Sequence, residues 1–175
     1  MKKPTIAWDN IRVRYPEYFI IGYHSIIDDF SYFSTKVRIG IHSHIAASCV
    51  IAGGKGHQFT LGDFGSIASG TKIYCGSNDF VNDLVILAPE IDIGMCMCSG
   101  DVTIEDYCGV GTNSVIMPGN TIPEGTVIGG LSWVPAYFKL DPWSVYAGIP
   151  VKKIGDRNKD RVMKQIELIR RHFGV

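Results

Sequence analysis

The fold is decided by residues 102–157, which read VTIEDYCGVGTNSVIMPGNTIPEGTVIGGLSWVPAYFKLDPWSVYAGIPVKKIGDR. Aliphatic residues recur at every sixth position of this run, and small residues follow most of them four positions later. The aliphatic positions are Ile104, Val110, Ile116, Ile122, Ile128 and Val134, and the small ones are Cys108, Ser114, Thr126 and Ser132. A period of six matches neither an α-helix nor a simple strand. It is typical of a parallel β-helix, in which each hexad supplies one short strand and one corner.

The same period is present upstream. Its inward positions there are Ile21, Ile27, Phe33, Ile39, Ile45, Ile51, Leu61, Ile67 and Ile73. The clear exceptions to the small residue four positions later are Lys55 and Asn120. We therefore predict triangular coils of three hexads each, over residues 21–78 and 102–139, with the aliphatic side chains inside.

The rest of the chain is arranged around these coils. Its 175 residues fit one domain, 1–175. We expect residues 1–20 to cap the N-terminal end, 79–101 to form a loop insert, and 140–155 to be an extended segment. Residues 156–173 have the pattern of an amphipathic helix with Asp156 as its N-cap, covering the far end of the prism or a neighbouring subunit.

Composition argues against several functional classes. Basic and acidic residues balance at 17 each, so the chain lacks the basic face of a nucleic-acid binder. We find no apolar run long enough to span a membrane and no signal-peptide pattern, and expect no stable membrane insertion. Five cysteines, an odd number, fit reduced thiols in the cytoplasm.

Two inserts interrupt the hexads. Residues 52–60 add four residues to one hexad, and residues 79–101 form the longer insert. Each insert follows the third hexad of its coil, and the two coils are adjacent. We therefore expect both inserts to leave the prism at one corner, where His57 and the Asn78–Asp79 pair would converge.

His57 is the candidate catalytic base, because an imidazole titrates near neutral pH and neighbouring glycines give its backbone freedom. Asp79 is predicted to orient His57 or to replace it as the base. Asn78 and Asp83 are candidate substrate-binding residues. The alternatives are a surface histidine without a role, turn-forming residues at 78–79, and solvated loop charges at Asp83 and Glu90.

We expect the other four histidines to have structural or solvent-facing positions rather than catalytic roles. His24 and His42 occupy equivalent positions of stacked coils, and we expect them to form an outward ladder. His44 is similar, and His172 lies in the C-terminal tail. The run from Met95 to Cys98 contains a CxC pair, which alone is a weak metal signal and fits apolar packing better.

The repeats, with the passages VIMPGNTIPEGTVIGGLSWVPA (115–136) and WSVYAGIPVKKI (143–154), resemble those of hexapeptide-repeat acyltransferases. This group includes the galactoside and streptogramin acetyltransferases, and the chain is most similar to small sugar acetyltransferases of surface-polysaccharide pathways. The resemblance implies a left-handed β-helix, a homotrimer with active sites between neighbouring prisms, and acetyl-CoA as donor and co-substrate.

The resemblance also implies a donor groove. Thr112, Gly130, Pro135 and Ala136 would line the pantetheine path, and the basic Lys152–Lys153 pair would bind the CoA phosphates. Two departures stand out. The family often has a Thr-Lys pair where this chain has Pro135-Ala136, and the loop 79–101 lacks the catalytic histidine of galactoside-type enzymes.

The function predicted is transfer of acetyl from acetyl-CoA to a hydroxyl or amino group of a sugar, possibly nucleotide-linked, for surface polysaccharide or lipopolysaccharide synthesis. One alternative is a non-catalytic β-helix that serves as a binding or scaffold protein. Another is a metalloenzyme of the gamma-carbonic-anhydrase type, which carries an H-x4-H pair that this chain lacks, so we expect no metal site. The sequence leaves open the sugar, the choice between O- and N-acetylation, and the acyl group.

Overall fold

The computed structural model describes residues 5–6, 10–84 and 97–174, which form a parallel β-helix followed by one helix. A short 3-10 turn spans Pro16–Tyr18, and helix α1 spans Lys159–Phe173. The strands are β1 (Thr5–Ile6), β2 (Arg12–Val13), β3 (Phe19–Ile21), β4 (Ile26–Ile27), β5 (Tyr32–Ile39), β6 (His44–Ile45), β7 (Val50–Leu61), β8 (Ser66–Ile67), β9 (Lys72–Tyr74), β10 (Gly76–Asn78), β11 (Met97–Ser99), β12 (Val102–Ile104), β13 (Gly109–Val110), β14 (Val115–Ile116), β15 (Thr121–Ile122), β16 (Val127–Ile128), β17 (Trp133–Val134), β18 (Ser144–Ala147) and β19 (Lys152–Asp156).

The strands stack in parallel into the three faces of a triangular prism. Face 1 contains β3, the second halves of β5 and β7, β12 and β15. Face 2 contains β1, β4, β6, β8, β13, β16 and β18. Face 3 contains β2, the first halves of β5 and β7, β9, β14 and β17. Strands β5 and β7 each continue around the corner from face 3 to face 1.

The register confirms the predicted phase of the hexads on both sides of the long insert. Leu61 pairs with Ile104, which pairs with Ile122 on the next coil. Ile67, Val110 and Ile128 follow one another in the same way on face 2. The aliphatic hexad positions from Ile27 to Val134 are buried and form one continuous core, against which the partly buried Ile21 packs. The predicted fold class, a β-helix with a long loop and a C-terminal helix, is confirmed.

Four positions after each aliphatic hexad residue, the small residue is often a serine or threonine, because its hydroxyl forms a hydrogen bond between coils. Several of these side chains donate a hydrogen bond to a carbonyl fifteen residues later on the next coil, which satisfies a buried hydroxyl. The pairs are Ser25–Gly40 at 2.7 Å, Ser114–Gly129 at 2.8 Å and Thr126–Asp141 at 2.8 Å. Asn120, an exception to the size rule, makes the same bond, because its Nδ2 donates to the Pro135 carbonyl at 2.8 Å.

The coils begin earlier than predicted. Val13 pairs with Phe33, twenty residues away, whereas Ile21 pairs with Ile39, eighteen residues away. The 3-10 turn Pro16–Tyr18 lies between Val13 and Ile21, where the spacing changes from twenty to eighteen residues. Strands β2 and β3, which fall inside the predicted 1–20 cap, therefore already belong to faces 3 and 1.

The C-terminal segment differs from the prediction in two places. Within the predicted extended segment 140–155, β18 continues face 2 and β19 turns back antiparallel to it. The predicted N-cap Asp156 is wrong, because Asp156 ends β19, paired with Ser144. Asn158 caps α1 instead, and its Oδ1 accepts the Arg161 N–H at 3.0 Å. In the part of the chain that the structure describes, no helix is long and apolar enough to cross a membrane.

The corner between faces 1 and 2, here called the helix corner, carries His24, His42, Phe64, Tyr107 and Trp143. All five have φ between 52° and 63°, in the left-handed region. The imidazoles of His24 and His42 stack at 4.6 Å and 3°, so the predicted histidine ladder is confirmed.

Helix α1 covers this corner of its own prism. The Phe173 ring lies 4.8 Å from the His24 ring and 5.0 Å from the His42 ring, measured between centroids. Arg170 Nη2 donates to the Tyr107 hydroxyl at 2.9 Å. The helix therefore runs along a long edge of the prism.

Candidate active site

The corner between faces 3 and 1, here called the insert corner, comprises residues 34–36, 52–58, 74–84, 97–101, 117–120 and 135–138. Ala52, where the first insert starts, pairs with Tyr74, just before the second insert. The Cys75 N–H donates to the Ala52 carbonyl at 2.6 Å. Both inserts therefore leave one corner on adjacent coils, as predicted.

The first insert is a bulge in β7 that a buried threonine fixes. Across the corner, Thr35 pairs with Gly54, but the next residue of β5 pairs with Gln58, so residues 55–57 bulge outward. Thr35 is 1% exposed, and its hydroxyl lies 2.7 Å from the His57 carbonyl and 3.1 Å from the Gly54 carbonyl. The single hydroxyl proton serves the nearer carbonyl best. The backbone of His57 is thus held by a group in the core.

The imidazole of His57 faces Asp101, a residue that sequence reasoning missed. His57 Nδ1 lies 3.6 Å from Asp101 Oδ1, and the same oxygen accepts the Gln58 N–H at 2.9 Å. The His57 side chain is 28% exposed and that of Asp101 is 65% exposed. An Nδ1–H directed at the carboxylate leaves the Nε2 lone pair free for a proton from substrate. The only available signal was that Asp101 directly precedes the first strand after the long insert.

Asp79 was predicted to orient His57, but the structure shows no contact between the two side chains. The Asp79 carboxylate accepts the N–H groups of Val81 at 2.9 Å and Asn82 at 3.2 Å, and the Asn82 side-chain amide at 2.7 Å. These bonds, led by the Asn82 side chain, lower the pKa of Asp79. The chain has already turned into the β10–β11 ribbon, so the carboxylate closes a local turn, as the alternative reading held. Asp101 takes the place beside His57, and a catalytic role for Asp79 stays a prediction.

The two candidate substrate-binding residues, Asn78 and Asp83, lie close to Asp79 on an arm of the insert corner. The described part of this arm comprises β10, residues 79–84 and β11. Asn78 ends β10, opposite Met97 of β11 in an antiparallel ribbon. The Asp83 N–H donates to the Asp79 carbonyl at 3.2 Å. Both side chains are half-buried, and their roles remain predictions. The assignments made for Glu90, Met95 and Cys96 lie outside the described residues.

Thr112 and Gly130 stack at the corner between faces 2 and 3, here called the glycine corner (residues 111–114, 129–132 and 148–151). The Leu131 N–H donates to the Thr112 carbonyl at 2.8 Å. A Cβ on Gly111 would lie 2.3 Å from the Gly130 nitrogen, so the coils approach too closely for a side chain there. Thr112 and Gly130 are exposed and offer a narrow track along the prism.

Pro135 and Ala136 lie at the insert corner, on the opposite edge of face 3 from Thr112 and Gly130. The predicted donor residues therefore flank face 3 on both edges. Pro135 follows β17, three strand steps from β7, which carries His57. Three steps correspond to about 14 Å along the prism.

The two predicted phosphate-binding lysines differ. Lys153 Nζ lies 2.9 Å from Asp156 and 3.6 Å from Asp141, and the hydrogen bond to Asp156 is the main reason that its pKa is raised. Lys152 is exposed and forms no ion pair with any described residue. Lys152 is thus the better placed of the two to bind an anion.

The buried cysteines Cys49, Cys75 and Cys108 are poor nucleophiles, because burial raises the pKa of each thiol. Four described cysteines are free thiols, and burial raises the pKa of Cys75 to about 11 and that of Cys108 to about 12. Thiols with such pKa values are protonated at neutral pH. Within residues 10–84 and 97–174, no group of three His, Cys, Asp or Glu side chains is arranged to hold a metal ion.

Comparison with known proteins decides the family. The chain is 34% identical over 144 residues to dTDP-4-amino-4,6-dideoxy-D-glucose acyltransferase of Escherichia coli, which covers 79% of this chain and 72% of that protein. The chain belongs to the hexapeptide-repeat acyltransferases. The present chain is also 26% identical over 149 residues to chloramphenicol acetyltransferase of Agrobacterium fabrum. This match covers 77% of the present chain and 68% of that protein. No protein-family model matches the chain.

Solved structures agree with this assignment. AntD, an N-acyltransferase from Bacillus cereus in complex with dTDP and 3-hydroxybutyryl-CoA, is 32% identical with a TM-score of 0.84, covering 95% of this acyltransferase and 87% of AntD. The hexapeptide-repeat acetyltransferase VCA0836 from Vibrio cholerae, at 23% identity and a TM-score of 0.65, covers 82% of this chain and 77% of that one and shows the fold alone. The predicted acyl-CoA-dependent sugar acyltransferase is confirmed.

Proposed function

We propose that this acyltransferase transfers an acyl group, such as acetyl, from acyl-CoA to the amino group of a nucleotide-linked amino sugar. The similarity to an acyltransferase of dTDP-4-amino-4,6-dideoxy-D-glucose carries the proposal. A solved AntD variant at 32% identity holds the same amino sugar together with coenzyme A. Between the hydroxyl and amino acceptors that the sequence left open, these relatives favour the amine.

The reaction needs one proton acceptor and a fixed geometry. The neutral amine attacks the thioester carbonyl carbon, a C–N bond forms, and the C–S bond breaks. The amine gives up one proton and the sulfur gains one, so the products are an amide and free coenzyme A. His57, with Nδ1 directed at Asp101, takes the proton at Nε2 as general base and returns it to the departing sulfur.

The donor is proposed to lie along face 3 at its C-terminal end. Pantetheine would follow the track of Thr112 and Gly130 towards Pro135 and Ala136. Lys152, exposed and without an ion pair among the described residues, would bind the CoA phosphates by charge. A thioester at the N-terminal end of this track would approach the coils that carry His57.

A homotrimer is part of the proposal. In one protomer the predicted donor residues lie on two edges of face 3, and the arm of the insert corner (β10, residues 79–84 and β11) exposes an apolar patch. Its exposed apolar side chains are Phe80 at 73%, Val81 at 88%, Leu84 at 64% and Met97 at 58%. A neighbouring prism would cover this patch. Light scattering should report about 58 kDa, three times 19.3 kDa, and a 19.3 kDa species at micromolar concentration would contradict the trimer.

The acylated nucleotide sugar would be an activated building block for surface polysaccharide or lipopolysaccharide. Glycosyl transfer is the class of reaction that consumes such a molecule. Free thiols at Cys49, Cys75, Cys98 and Cys108 agree with a reducing compartment, so we place the enzyme in the cytoplasm.

The test is a thiol-release assay with acetyl-CoA and dTDP-4-amino-4,6-dideoxyglucose, followed by mass spectrometry of the sugar. We expect stoichiometric CoA release and a product that carries one acetyl group. The matched control is the dTDP sugar with a hydroxyl in place of the amine, which should release CoA far more slowly. Equal rates for both acceptors would contradict amine selectivity. Release with neither acceptor, despite intact CoA binding, would overturn the proposed acceptor.

A further inference from the structure

A polar groove crosses face 3 at the N-terminal end of the prism, away from every residue so far assigned a role. Its volume is about 860 Å³. Its polar lining residues are Asn10, Arg12, Arg14, Ser31 and Tyr32, and Phe30 adds an exposed ring.

The two arginines are presented by a rigid strand. Arg12 and Val13 form β2, Arg14 follows directly, and Val13 packs against the core. The Arg12 N–H donates to the Ser31 carbonyl at 3.0 Å, and the Arg14 N–H donates to the Phe33 carbonyl at 2.8 Å. Both side chains are exposed on one surface.

Neither guanidinium is neutralised by a described partner. Among residues 10–84 and 97–174, no carboxylate lies within ion-pair distance of Arg12 or Arg14. The Arg14 guanidinium lies 5.7 Å from the centroid of the Tyr15 ring. The chain as a whole has a formal net charge of zero, so two neighbouring cations without an anion are a local feature of this groove.

The register places the groove on the same face as the candidate site. The outward positions of face 3 pair in sequence from one end of the prism to the other as Arg12, Tyr32, Val50, Lys72, Val115 and Trp133. Arg12 is two strand steps, about 10 Å, below Val50 of β7, the strand that carries His57. The predicted donor residues lie above His57. The groove and the donor track therefore approach His57 from opposite ends.

We propose that the Arg12–Arg14 groove binds the diphosphate of the acceptor nucleotide sugar, which rests on the function proposed above. A guanidinium donates paired hydrogen bonds that match phosphate oxygens. Phe30 and Tyr32 offer aromatic surface for the nucleobase. A gap of about 10 Å between the arginine strand and the His57 strand suits one hexose ring with its glycosidic phosphate. The groove thus selects a nucleoside diphosphate sugar over a free sugar.

The test compares the double variant Arg12→Gln/Arg14→Gln with Arg38→Gln. Arg38 is exposed on the next coil and on face 1, so it is a control for the loss of an exposed arginine outside the groove. Calorimetric titration with dTDP alone should show at least about tenfold weaker binding for the double variant, since hydrogen bonds between charged groups are lost. The KM for the nucleotide sugar should rise by a similar factor. The KM for acetyl-CoA, the melting temperature and all properties of Arg38→Gln should stay near wild type.

Three outcomes overturn the proposal, and they separate it from the proposed function. Unchanged dTDP affinity and KM in a double variant of an active enzyme would reject the groove alone. A rise in the KM for acetyl-CoA instead would assign the groove to the donor. A wild-type enzyme that neither binds dTDP nor acylates a dTDP-amino sugar would reject both. Arg14→Lys keeps the charge but loses the paired hydrogen-bond geometry, so it should weaken dTDP binding by a smaller factor. This single variant replaces the double variant if the double variant fails to fold.

Discussion

Two corners of one prism carry opposite features. At the helix corner, one residue per coil adopts a left-handed conformation, and the rings of His24, His42 and Phe64 stack in register. Helix α1 then covers the stack through Phe173. At the insert corner, extra residues displace the chain outward and leave His57 partly exposed beside Asp101. A corner that repeats is closed and contributes stability, whereas a corner that is interrupted stays open to a ligand.

The difference has a geometric cause. Successive coils rise by about 4.8 Å, close to the separation at which aromatic rings pack, so corners of equal length stack their side chains automatically. The bulge at residues 55–57 and the arm that starts at Asn78 break this repetition on adjacent coils. Because the described residues of the insert corner form no ring stack, polar side chains can face a ligand.

The largest effect is expected from His57→Ala. Loss of the proposed general base should lower kcat by about 10²–10⁴ while leaving the melting temperature and acyl-CoA affinity intact. The matched variant is His24→Ala, which removes a stacked imidazole from the helix corner. It should lower the melting temperature by about 2–4 °C for each kcal/mol of lost packing, with kcat unchanged.

A loss of activity below about tenfold for His57→Ala would mean that the imidazole is not the base. If Asp79→Asn then abolished turnover, the carboxylate would hold the role that the sequence gave it as a substitute. If neither substitution mattered, positioning of an already neutral amine would suffice for the reaction. A fall in kcat for His24→Ala would show that the two corners are coupled.

A smaller effect is expected from Asp101→Asn. The amide oxygen can still accept the Gln58 N–H, but the charge facing Nδ1 of His57 is lost. We expect kcat to fall about tenfold with both KM values unchanged, since one charge-assisted contact is worth about 1.5–3 kcal/mol at most and this one is partly exposed. In a His57→Ala background the same substitution should have no further effect. Additive losses in that double-mutant cycle would show that Asp101 acts independently of the imidazole.

The hexad period predicted the prism in detail because each inward position is independently specified by burial. Ile104, Ile122 and their equivalents lie in the core where the sequence placed them. The same counting predicted that two inserts would share a corner, since corners follow from phase alone. It failed at residues 1–20, where a 3-10 turn between Val13 and Ile21 changes the spacing from eighteen to twenty.

The hexad period could not predict which side chains contact each other inside the site. Asp79 was predicted beside His57, but its carboxylate is bound by Asn82 and the local turn. Asp101, which does lie beside His57, belongs to the end of the long insert, where the sequence has no period to fix its direction. The role of Thr35 could not be predicted either. Its hydroxyl donates to the His57 carbonyl, but in the sequence Thr35 looks like any other small residue at a corner.

A modest effect is expected from Lys152→Glu, which tests the far end of face 3. If Lys152 binds the CoA phosphates as proposed, reversal of its exposed charge should raise the KM for acetyl-CoA several-fold and leave kcat nearly unchanged, because uniform binding is lost. Lys164→Glu, an equally exposed reversal on α1, is the control and should change neither constant. A rise in the KM for the sugar instead would place the donor groove elsewhere.

The smallest effect concerns pH and the helix corner. Burial is the main reason that the pKa of His42 is lowered, with the neighbouring His24 adding to the shift and Asp63 opposing it. Among the described residues, His42 Nε2 is buried without a hydrogen-bond partner, and the ring is enclosed by His24, Phe64 and Phe173.

The unfolded chain binds a proton at His42 more readily than the folded chain does, so stability must rise with pH across this titration. The contribution is fully present above the unfolded pKa of about 6.5 and is lost as pH falls below it towards the lowered folded value. We expect the melting temperature to fall from pH 8 to pH 5 in the wild type and to fall less in His42→Phe, which keeps a ring in the stack but cannot titrate. His44→Gln, which removes an imidazole paired with Asp28 outside the stack, is the control for general histidine titration. Equal pH dependence in the wild type and His42→Phe would show that the stacked imidazole does not couple helix docking to protons, and the helix corner would then differ from the insert corner in packing alone.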